Sequence, residues 1–291
     1  MVFDGFLKNI NQNRLEMSRM QEQIASGKKV TKTSDSPLSF KQARLLESQI
    51  RDKEFYQTQI NEARSTAQVA QQSLDEVADR LIEIKSIVTR GANQAQGAGG
   101  YAVLAQEVEH LRDELLHSLN VSSSSGYVFG GSNQDQIPYS SSPTAPGGVE
   151  YGGNQLQTSV EVENNSYVQP TIPGSTLRDA DGLDLFEAIE NTLSALHSED
   201  ASSLSSQLEN YDTLIAHISD QAASVGFELN KMDFLEERQE MITNTFKSEL
   251  SSLVDTDFAE TFSTLQRTEL AFQSAMTVHS QMMNQSLLEY L

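Results

Sequence analysis

Apolar residues in this chain recur at spacings of three and four over two very long stretches, the pattern of helices that bury one continuous face. The first stretch predicts a helix from Pro37 to about Asn93, and the second predicts one that begins near Asp200. The first stripe consists of Ile60, Ala63, Ala67, Ala70, Leu74, Val77, Leu81, Ile84 and Val88. The second consists of Leu204, Leu208, Tyr211, Ile215, Ile218, Ala222, Val225, Leu229 and Met232, and continues through Leu235, Ile242, Phe246 and Leu253.

A separate helix is predicted at the amino-terminal end of the sequence. Its apolar stripe extends from Phe3 to Ile24, and Gly27 follows as a residue that commonly ends a helix. Ser36 and Pro37 then supply an N-cap and a first-turn proline, which mark the start of the first long helix.

Three further helices complete the helical pattern. Asp257, with Glu260 three residues later, forms a capping box for a last helix that runs to the final residue. The other two helices lie at mid-chain. Their stripes are Leu104, Val108, Leu111, Leu115 and Leu119 in one, and Phe186, Ile189, Leu193 and Leu196, within residues 183–197, in the other.

The composition changes at Ser122, between these two mid-chain helices. Residues 122–182 hold five of the six prolines and more than half of the glycines, which are typical of turns. Short β-type runs lie at Tyr127–Phe129, Leu156–Val162 and Tyr167–Ile172. Val160 and Val162 alternate with glutamates, as in a strand with one face in water. The segment is therefore predicted to be a small β-rich insertion.

The order of elements predicts a mainly α fold in which the two halves of the chain mirror each other. We expect an elongated antiparallel bundle of long, coiled-coil-like helices, with the insertion at one tip and the terminal helices paired at the other. The predicted segments are an amino-terminal assembly helix and loop (1–33), the first half of a helical rod (34–126), the β-rich insertion (127–182), the second half of the rod (183–256) and a carboxy-terminal assembly helix (257–291).

The apolar stripes of the terminal helices exceed what a single molecule of this fold can bury. The long helices already have partners in each other, so the two ends can pair only with one another and leave apolar surface exposed, which usually marks an interaction site. The alternative is that both ends fold back and complete one core. The predicted assembly interface is Phe3, Leu7, Ile10, Met17, Ile24, Phe262, Leu265, Phe272, Met276, Met283, Leu287, Tyr290 and Leu291.

Charge and composition narrow the classes of partner and reaction. The net charge of −21 repels nucleic acid and anionic membranes, although residues 1–53 are basic, with 10 Lys and Arg against 6 Asp and Glu. Cysteine is absent, which excludes disulfides and thiol chemistry. The longest apolar run, Tyr101–Ala105, is far shorter than a membrane span or the core of a cleaved signal peptide.

The sequence offers little that points to catalysis or to a cofactor. His110, Glu114 and His117 share one helix face at metal-ligand spacing, but a single such helix supplies half a site, and we interpret the face as a solvated one. We interpret His279, on the stripe of the last helix, as a packed or assembly-contact histidine. No phosphate-binding loop, dinucleotide fingerprint or nucleophile elbow is present, so we expect neither an enzyme nor a cofactor or metal site.

Several short motifs resemble the flagellin superfamily, and more closely the family of proteins that joins the bacterial flagellar hook to its filament. Their order and spacing from the two ends carry the resemblance, which spans nearly the whole chain. The motifs are Ser26-Gly27-Lys28-Lys29-Val30, Ser34-Asp35-Ser36-Pro37, Tyr127-Val128-Phe129-Gly130-Gly131, Val225-Gly226 with Leu229-Asn230, Asp255-Thr256-Asp257-Phe258-Ala259-Glu260 and Leu287-Leu288-Glu289-Tyr290-Leu291.

The resemblance implies a structural adaptor of the extracellular flagellum, exported by the flagellar type III apparatus without a cleaved signal. Its implied partners are hook-associated protein 1 on the hook side, flagellin on the filament side, neighbouring copies in a ring, and a cytoplasmic export chaperone that grips the C-terminal helix. Two alternatives stay open. One is a flagellin filament subunit of the same build, and the other is a coiled-coil effector or adhesin exported by a related system.

Overall fold

The computed structural model of the chain describes residues 2–93 and 100–288 and is mainly α-helical. The helices are α1 (Val2–Ser26), α2 (Pro37–Asn93), α3 (Gly100–Leu119), α4 (Gly174–Arg178), α5 (Leu185–His197), α6 (Ala201–Val254) and α7 (Phe258–Leu288). The predicted order of terminal, long and short helices, with β structure between α3 and α5, is confirmed. Among the described residues, no helix is both long and apolar enough to cross a membrane.

The chain divides into two compact units, which are described separately. The terminal unit comprises residues 1–53 and 241–291, and the central unit comprises residues 54–240. The terminal unit therefore contains α1, α7, the first turns of α2 and the last turns of α6. The central unit contains α3, α4, α5, all of the β structure and the remaining length of the two long helices.

The core of the central unit is the seam between its helices. All nine members of the predicted α2 stripe, from Ile60 to Val88, are buried. Ion pairs between α2 and α6 show the relative direction of these two helices. Arg64 of α2 pairs with Asp233 at 3.0 Å, and Lys85, later in α2, pairs with Asp212, which is nearer the start of α6. The helices α2 and α6 are therefore antiparallel, as the mirrored pattern predicted.

The helix α3 packs back against α2 in the same way. Arg90 pairs with Glu107 at 2.8 Å, and Arg80 pairs with Glu114 at 3.1 Å, so the two helices run antiparallel. The predicted stripe of α3 from Leu104 to Leu119 is buried. On the other side of the core, the Tyr211 hydroxyl of α6 lies 2.9 Å from the Thr192 hydroxyl of α5, and burial raises the pKa of Tyr211. The hydrogen bond satisfies two polar groups that would otherwise be costly to bury.

The insertion consists of four small antiparallel hairpins instead of one sheet. The strands are β1 (Ser122–Ser123) with β2 (Gly126–Tyr127), β3 (Tyr139–Ser141) with β4 (Val149–Tyr151), β5 (Val160–Glu163) with β6 (Ser166–Val168), and β7 (Asp179–Ala180) with β8 (Leu183–Asp184). The runs predicted at 127–129, 156–162 and 167–172 are thus only partly strand. Val162 is fully buried while Glu161 is exposed, which confirms the predicted wet face.

The last hairpin corrects the predicted start of the short helix at 183. Leu183 pairs with Ala180 as a strand, and α5 begins two residues later because Asp184 acts as its N-cap. The Asp184 carboxylate accepts hydrogen bonds from the backbone N–H groups of Phe186 and Glu187, at 2.9 and 3.1 Å.

Arg178 connects two hairpins of the insertion to α5. Its guanidinium pairs with Asp184 and donates to the Val149 carbonyl at 2.9 Å and the Pro146 carbonyl at 3.0 Å. It also lies 5.9 Å from the centre of the Phe186 ring. The ion pair is mostly buried, so loss of Arg178 would remove the positive charge beside Asp184 and leave this carboxylate with only the two N–H donors of α5.

We therefore expect Arg178→Met to destabilise the protein by roughly 2–4 kcal/mol, because Asp184 and two carbonyls lose their donor in a mostly buried place. Urea unfolding followed by circular dichroism measures the change. The matched control is Arg90→Met, whose ion pair with Glu107 is half exposed and whose loss should cost less than about 1 kcal/mol. Equal effects of the two variants would contradict the assigned role of Arg178.

Candidate assembly surface at the terminal helices

Two backbone hydrogen bonds in the terminal unit join the segment after α1 to the segment between α6 and α7. The Lys29 N–H donates to the Val254 carbonyl at 2.7 Å, and the Thr256 N–H donates to the Gly27 carbonyl at 3.0 Å. Lys28 and Asp255 form an isolated antiparallel bridge between them. We call this set of main-chain contacts the backbone staple. It brings the ends of the two terminal helices together, and Lys29 Nζ adds a side-chain hydrogen bond to the Ser252 carbonyl at 2.7 Å.

Gly27 makes the turn that leads from α1 into the backbone staple. Its φ of 72° lies in the left-handed region, where residues with a Cβ are strained. A Cβ at this position would lie 3.5 Å from the Phe258 ring of α7, which is an ordinary contact distance, so the backbone angle is what favours glycine here. The prediction that Gly27 ends the first helix is confirmed.

The loop between α1 and α2 is held by the Asp35 carboxylate. It accepts hydrogen bonds from the backbone N–H groups of Lys32 at 2.9 Å and Thr31 at 3.0 Å. These bonds, aided by the Thr31 hydroxyl and the positive charge of Arg19, lower the pKa of Asp35 below its ordinary value of 3.8. Ser36 lies at the predicted N-cap, and its hydroxyl is 3.4 Å from the Ser39 N–H.

The start of α7 is fixed by the predicted cap. The Asp257 carboxylate accepts from the backbone N–H groups of Ala259 at 2.9 Å and Glu260 at 3.1 Å. The first turn therefore has partners for two of the N–H groups that a helix leaves open. The direction in which α7 leaves the backbone staple is set by this cap together with Gly27.

The terminal helices α1 and α7 pack along each other, as predicted. Phe6 and His279 stack with ring centroids 4.0 Å apart and an interplanar angle of 18°. The prediction that His279 is a packed histidine is thus confirmed. Of the side chains that are described in this pair, at residues 5–26 and 258–281, none is fully buried. A single partner helix covers only part of the circumference of each.

The predicted interface residues divide into partner-facing and open positions. Five are half-buried between the two helices, namely Ile10, Met17, Ile24, Leu265 and Phe272. Three are exposed, namely Leu7, Phe262 and Met276. The helices include Phe3, Met283 and Leu287, but the side chains of these three lie outside what the structure describes, and Tyr290 and Leu291 lie outside the described residues altogether.

The sequence reasoning missed a second apolar face. Leu15, Leu270 and Val278 are strongly exposed, at 73%, 67% and 51%. Leu270 follows Leu265 by five residues, which places it about 140° around α7 from the partner-facing stripe. These residues are missed when only one apolar stripe is sought on each helix. A second apolar face on the same helix would have indicated in the sequence that the helix contacts more than one neighbour.

Charge is distributed very unequally between the two units. The central unit carries 8 Lys and Arg against 29 Asp and Glu, so the entire net charge of −21 lies there. The terminal unit has 12 of each and is neutral. Within it, residues 1–53 are net positive by four and residues 241–291 are net negative by four. Copies of the terminal unit can therefore approach each other without net repulsion.

The histidine face of α3 has ordinary ion-pair partners. Glu114 accepts from Arg80 at 3.1 Å and lies 3.2 Å from a ring nitrogen of His110. Over residues 2–93 and 100–288, no cluster of three or more His, Asp or Glu residues has the arrangement of a metal site. Glu114, the carboxylate of this face, is therefore already paired with Arg80.

The sequence matches two profiles that describe the helical ends of one protein family. The profile of the bacterial flagellin N-terminal helical region matches residues 5–134, and that of the bacterial flagellin C-terminal helical region matches residues 208–291. The two matches together cover well over half of the sequence. The chain belongs to the bacterial flagellin family.

Two similar proteins have nearly the same length as this chain. Flagellar hook-associated protein 3 of Escherichia coli strain K12 is 21% identical over 99% of this chain and 97% of the relative. Flagellar hook-associated protein 3 of Salmonella typhimurium strain LT2 is 20% identical with the same coverage. The likeness therefore includes the insertion as well as the helical ends.

Solved structures share the fold. FlgL of Xanthomonas campestris aligns with a TM-score of 0.62 and 16% identity, over 71% of this chain and 99% of that one. The flagellar junction protein FlgL of Legionella pneumophila aligns with a TM-score of 0.61 and 13% identity, over 73% and 99%. At these identities the similarity establishes a common architecture.

We expect Gly27→Ala to weaken the backbone staple by about 1 kcal/mol, because alanine is strained at a φ of 72°. Hydrogen exchange of the Lys29 amide, which donates across the backbone staple, measures the local opening free energy. Gly5→Ala in α1 is the matched control, since no atom lies within 4 Å of its Cβ position and alanine favours helix there. Faster exchange in both variants, or in neither, would contradict the role of Gly27.

The Asp35 loop should depend on pH in a defined direction. A carboxyl whose pKa is lowered by folding stabilises the loop above its unfolded pKa of 3.8 and loses this effect as pH falls through the lower folded value. We expect exchange protection of the Thr31 and Lys32 amides to be constant above about pH 5 and to fall below pH 3.8.

The titration can be removed by Asp35→Asn, which should make the protection of these amides independent of pH. The control is Asp52→Asn, at an exposed position of α2, which should leave the acid-induced loss unchanged. An acid-induced loss that persists in the Asp35→Asn protein would assign the effect to another group.

Proposed function

We propose that this protein is a structural, non-enzymatic adaptor that joins the bacterial flagellar hook to the flagellin filament. In this role it assembles through segments 1–33 and 257–291. The observation that carries the proposal is the absence of any fully buried side chain among the described residues of α1 and α7, beside a well-buried core in the central unit.

The exposed faces of the terminal pair have the chemistry of a subunit interface. Leu15, Phe262, Leu270 and Met276 expose apolar surface on helices that have one partner each. Burying this surface against neighbouring copies would release the free energy that the isolated pair cannot gain. The predicted interface residues, from Phe3 to Leu291, are accordingly proposed as the assembly surface, with Leu15, Leu270 and Val278 added to them.

The charge distribution supports the same arrangement. A ring of copies brings terminal units into close contact, and neutrality of the terminal unit avoids the repulsion that a charge of −21 per molecule would create.

The proposed partners follow from the adaptor role. They are hook-associated protein 1 at the hook side, flagellin at the filament side, copies of the protein itself in a ring, and an export chaperone on the C-terminal helix before assembly. Export through the flagellar type III apparatus without a cleaved signal belongs to the same proposal. The full-length similarity to flagellar hook-associated protein 3 favours this role over that of a filament subunit.

The proposal predicts that Leu270→Asp abolishes incorporation into flagella while the free protein keeps its stability. Leu270 is 67% exposed in the monomer, so the change should alter the free energy of unfolding by less than about 0.5 kcal/mol. In the assembly the new carboxylate would be buried without a partner, which should reduce incorporation by roughly tenfold or more. Cells should then swim poorly and release unpolymerised flagellin.

The matched control is Ile82→Asp, an exposed apolar position on α2 of the central unit. It should support swimming and normal filaments when it replaces the wild-type protein. Normal incorporation of the Leu270→Asp protein would refute assembly through the terminal helices. The copy number per flagellum separates the adaptor from a filament subunit, because a junction protein forms a short ring and a filament subunit is present along the whole filament.

A further inference from the structure

Two phenylalanines of the central unit lie on the outer face of α6. Phe227 is 68% exposed and Phe234 is 63% exposed. They are seven residues apart, so they point from the helix axis within about 20° of each other and lie about 10 Å apart along it. The core-facing residues Val225 and Met232, on the opposite side of the helix, are buried. The helix α6 therefore presents one apolar stripe to the core and another to solvent.

The hairpin of β5 and β6 lies along one side of this outer stripe. The Lys231 ammonium donates to the Tyr167 carbonyl at 2.9 Å, and Arg238 pairs with Glu163 of the hairpin. Tyr167 itself is 51% exposed. The hairpin thus adds a third exposed aromatic residue to the same region. We call these three residues the outer aromatic patch, which consists of Phe227, Phe234 and Tyr167.

The charges around the outer aromatic patch are mostly held in ion pairs. Lys231 lies 3.5 Å from Glu228, and the neighbouring arginine is paired with the hairpin. In this part of α6, Asp220 and Glu237 are the other charged residues within about 60° of Phe234. The central unit as a whole carries the net charge of −21. The pairing lowers the repulsion that a second acidic molecule would meet at this face.

The outer aromatic patch is too small to hold a partner from dilute solution. An aromatic side chain offers roughly 150–250 Å², so three of them at these exposures present roughly 300–450 Å². A stable interface buries about 800 Å² on each partner. The patch can therefore bind only a molecule that another contact already holds nearby at high effective concentration. In the proposed assembly, the terminal helices hold neighbouring copies in this way.

We propose that the outer aromatic patch packs against a helix of a neighbouring copy in the ring. The spacing of seven between Phe227 and Phe234 is that of a coiled-coil seam, which takes a second helix as its partner. The inference rests on the proposed function and deepens it, since it adds a contact between the central units of adjacent copies. The terminal helices then govern incorporation, and the outer aromatic patch strengthens the ring once it has formed.

A photo-crosslinking amino acid at Asn230 tests this contact directly, because Asn230 is exposed and lies between the two phenylalanines along α6. Flagella are isolated from cells in which this variant replaces the wild-type protein, and they are then irradiated. The expected product is two joined copies of the chain, identified by mass spectrometry. It should be missing when the same amino acid replaces Ile82, an exposed apolar residue of α2. Crosslinks to a different protein, or none above this control, would overturn the proposal.

Removal of the aromatic rings provides an independent measurement if the photo-crosslinking variant is not incorporated. The double variant Phe227→Gln with Phe234→Gln should keep the urea midpoint of the free protein, because both side chains are exposed. It should be incorporated within about twofold of wild type, but filaments should detach from warmed flagella roughly fivefold faster, because interface aromatics are lost.

The matched control for this measurement is Ile82→Gln, from which filaments should detach at the wild-type rate. Detachment of the double variant at the wild-type rate would overturn the proposal. Failure of the Leu270→Asp test would instead overturn assembly through the terminal helices, so the two failures can be told apart.

Discussion

The constraint on which this structure depends is geometric: a pair of helices cannot enclose a core. Each helix of the α1 and α7 pair touches its partner along one stripe, and the rest of its circumference remains open to water. The central unit avoids this by placing α3 and α5 beside the seam of α2 and α6, so that residues such as Leu74 and Ile218 are fully buried. The pair of α1 and α7 has no such additional layer among the described residues.

The backbone staple and the helix caps hold the exposed apolar residues of α1 and α7 in defined positions. Main-chain hydrogen bonds between residues 27–29 and 254–256 hold the ends of α1 and α6 together, while Asp257 caps α7 and Asp35 closes the loop before α2. None of these devices requires a buried apolar side chain. The exposed apolar residues are therefore presented from a fixed framework and are available to neighbouring molecules.

Much of the fold followed from spacing in the sequence. The alternation of three and four predicted α2 from Pro37 to Asn93 with its observed bounds, and the Asp257 cap located the start of α7. The hairpins were predicted less well, because runs such as 156–162 place apolar side chains in extended loops as readily as in strands. Asp184 moved the start of α5 because capping of two N–H groups outweighed the apolar pattern at Leu183.

The candidate surface was also predicted in part. One-stripe reasoning named Phe272, which is half-buried, and Phe262, which is exposed. It did not find Leu15 or Leu270, which lie outside that stripe and have significance only once the partner's position is known. The contact of Lys28 with Asp255 could not be predicted, since it joins residues from distant parts of the chain through the backbone staple.

The use of main-chain groups in the backbone staple has an evolutionary consequence. Hydrogen bonds between N–H and carbonyl groups form with almost any residue, so Lys28 and Asp255 can be replaced without loss of these bonds. Gly27 and Lys29 are the exceptions, the first because of its left-handed backbone and the second because its Nζ donates to the Ser252 carbonyl. Side-chain identity at the exposed edges of this region can therefore diverge between relatives, while the framework that carries those edges stays constant.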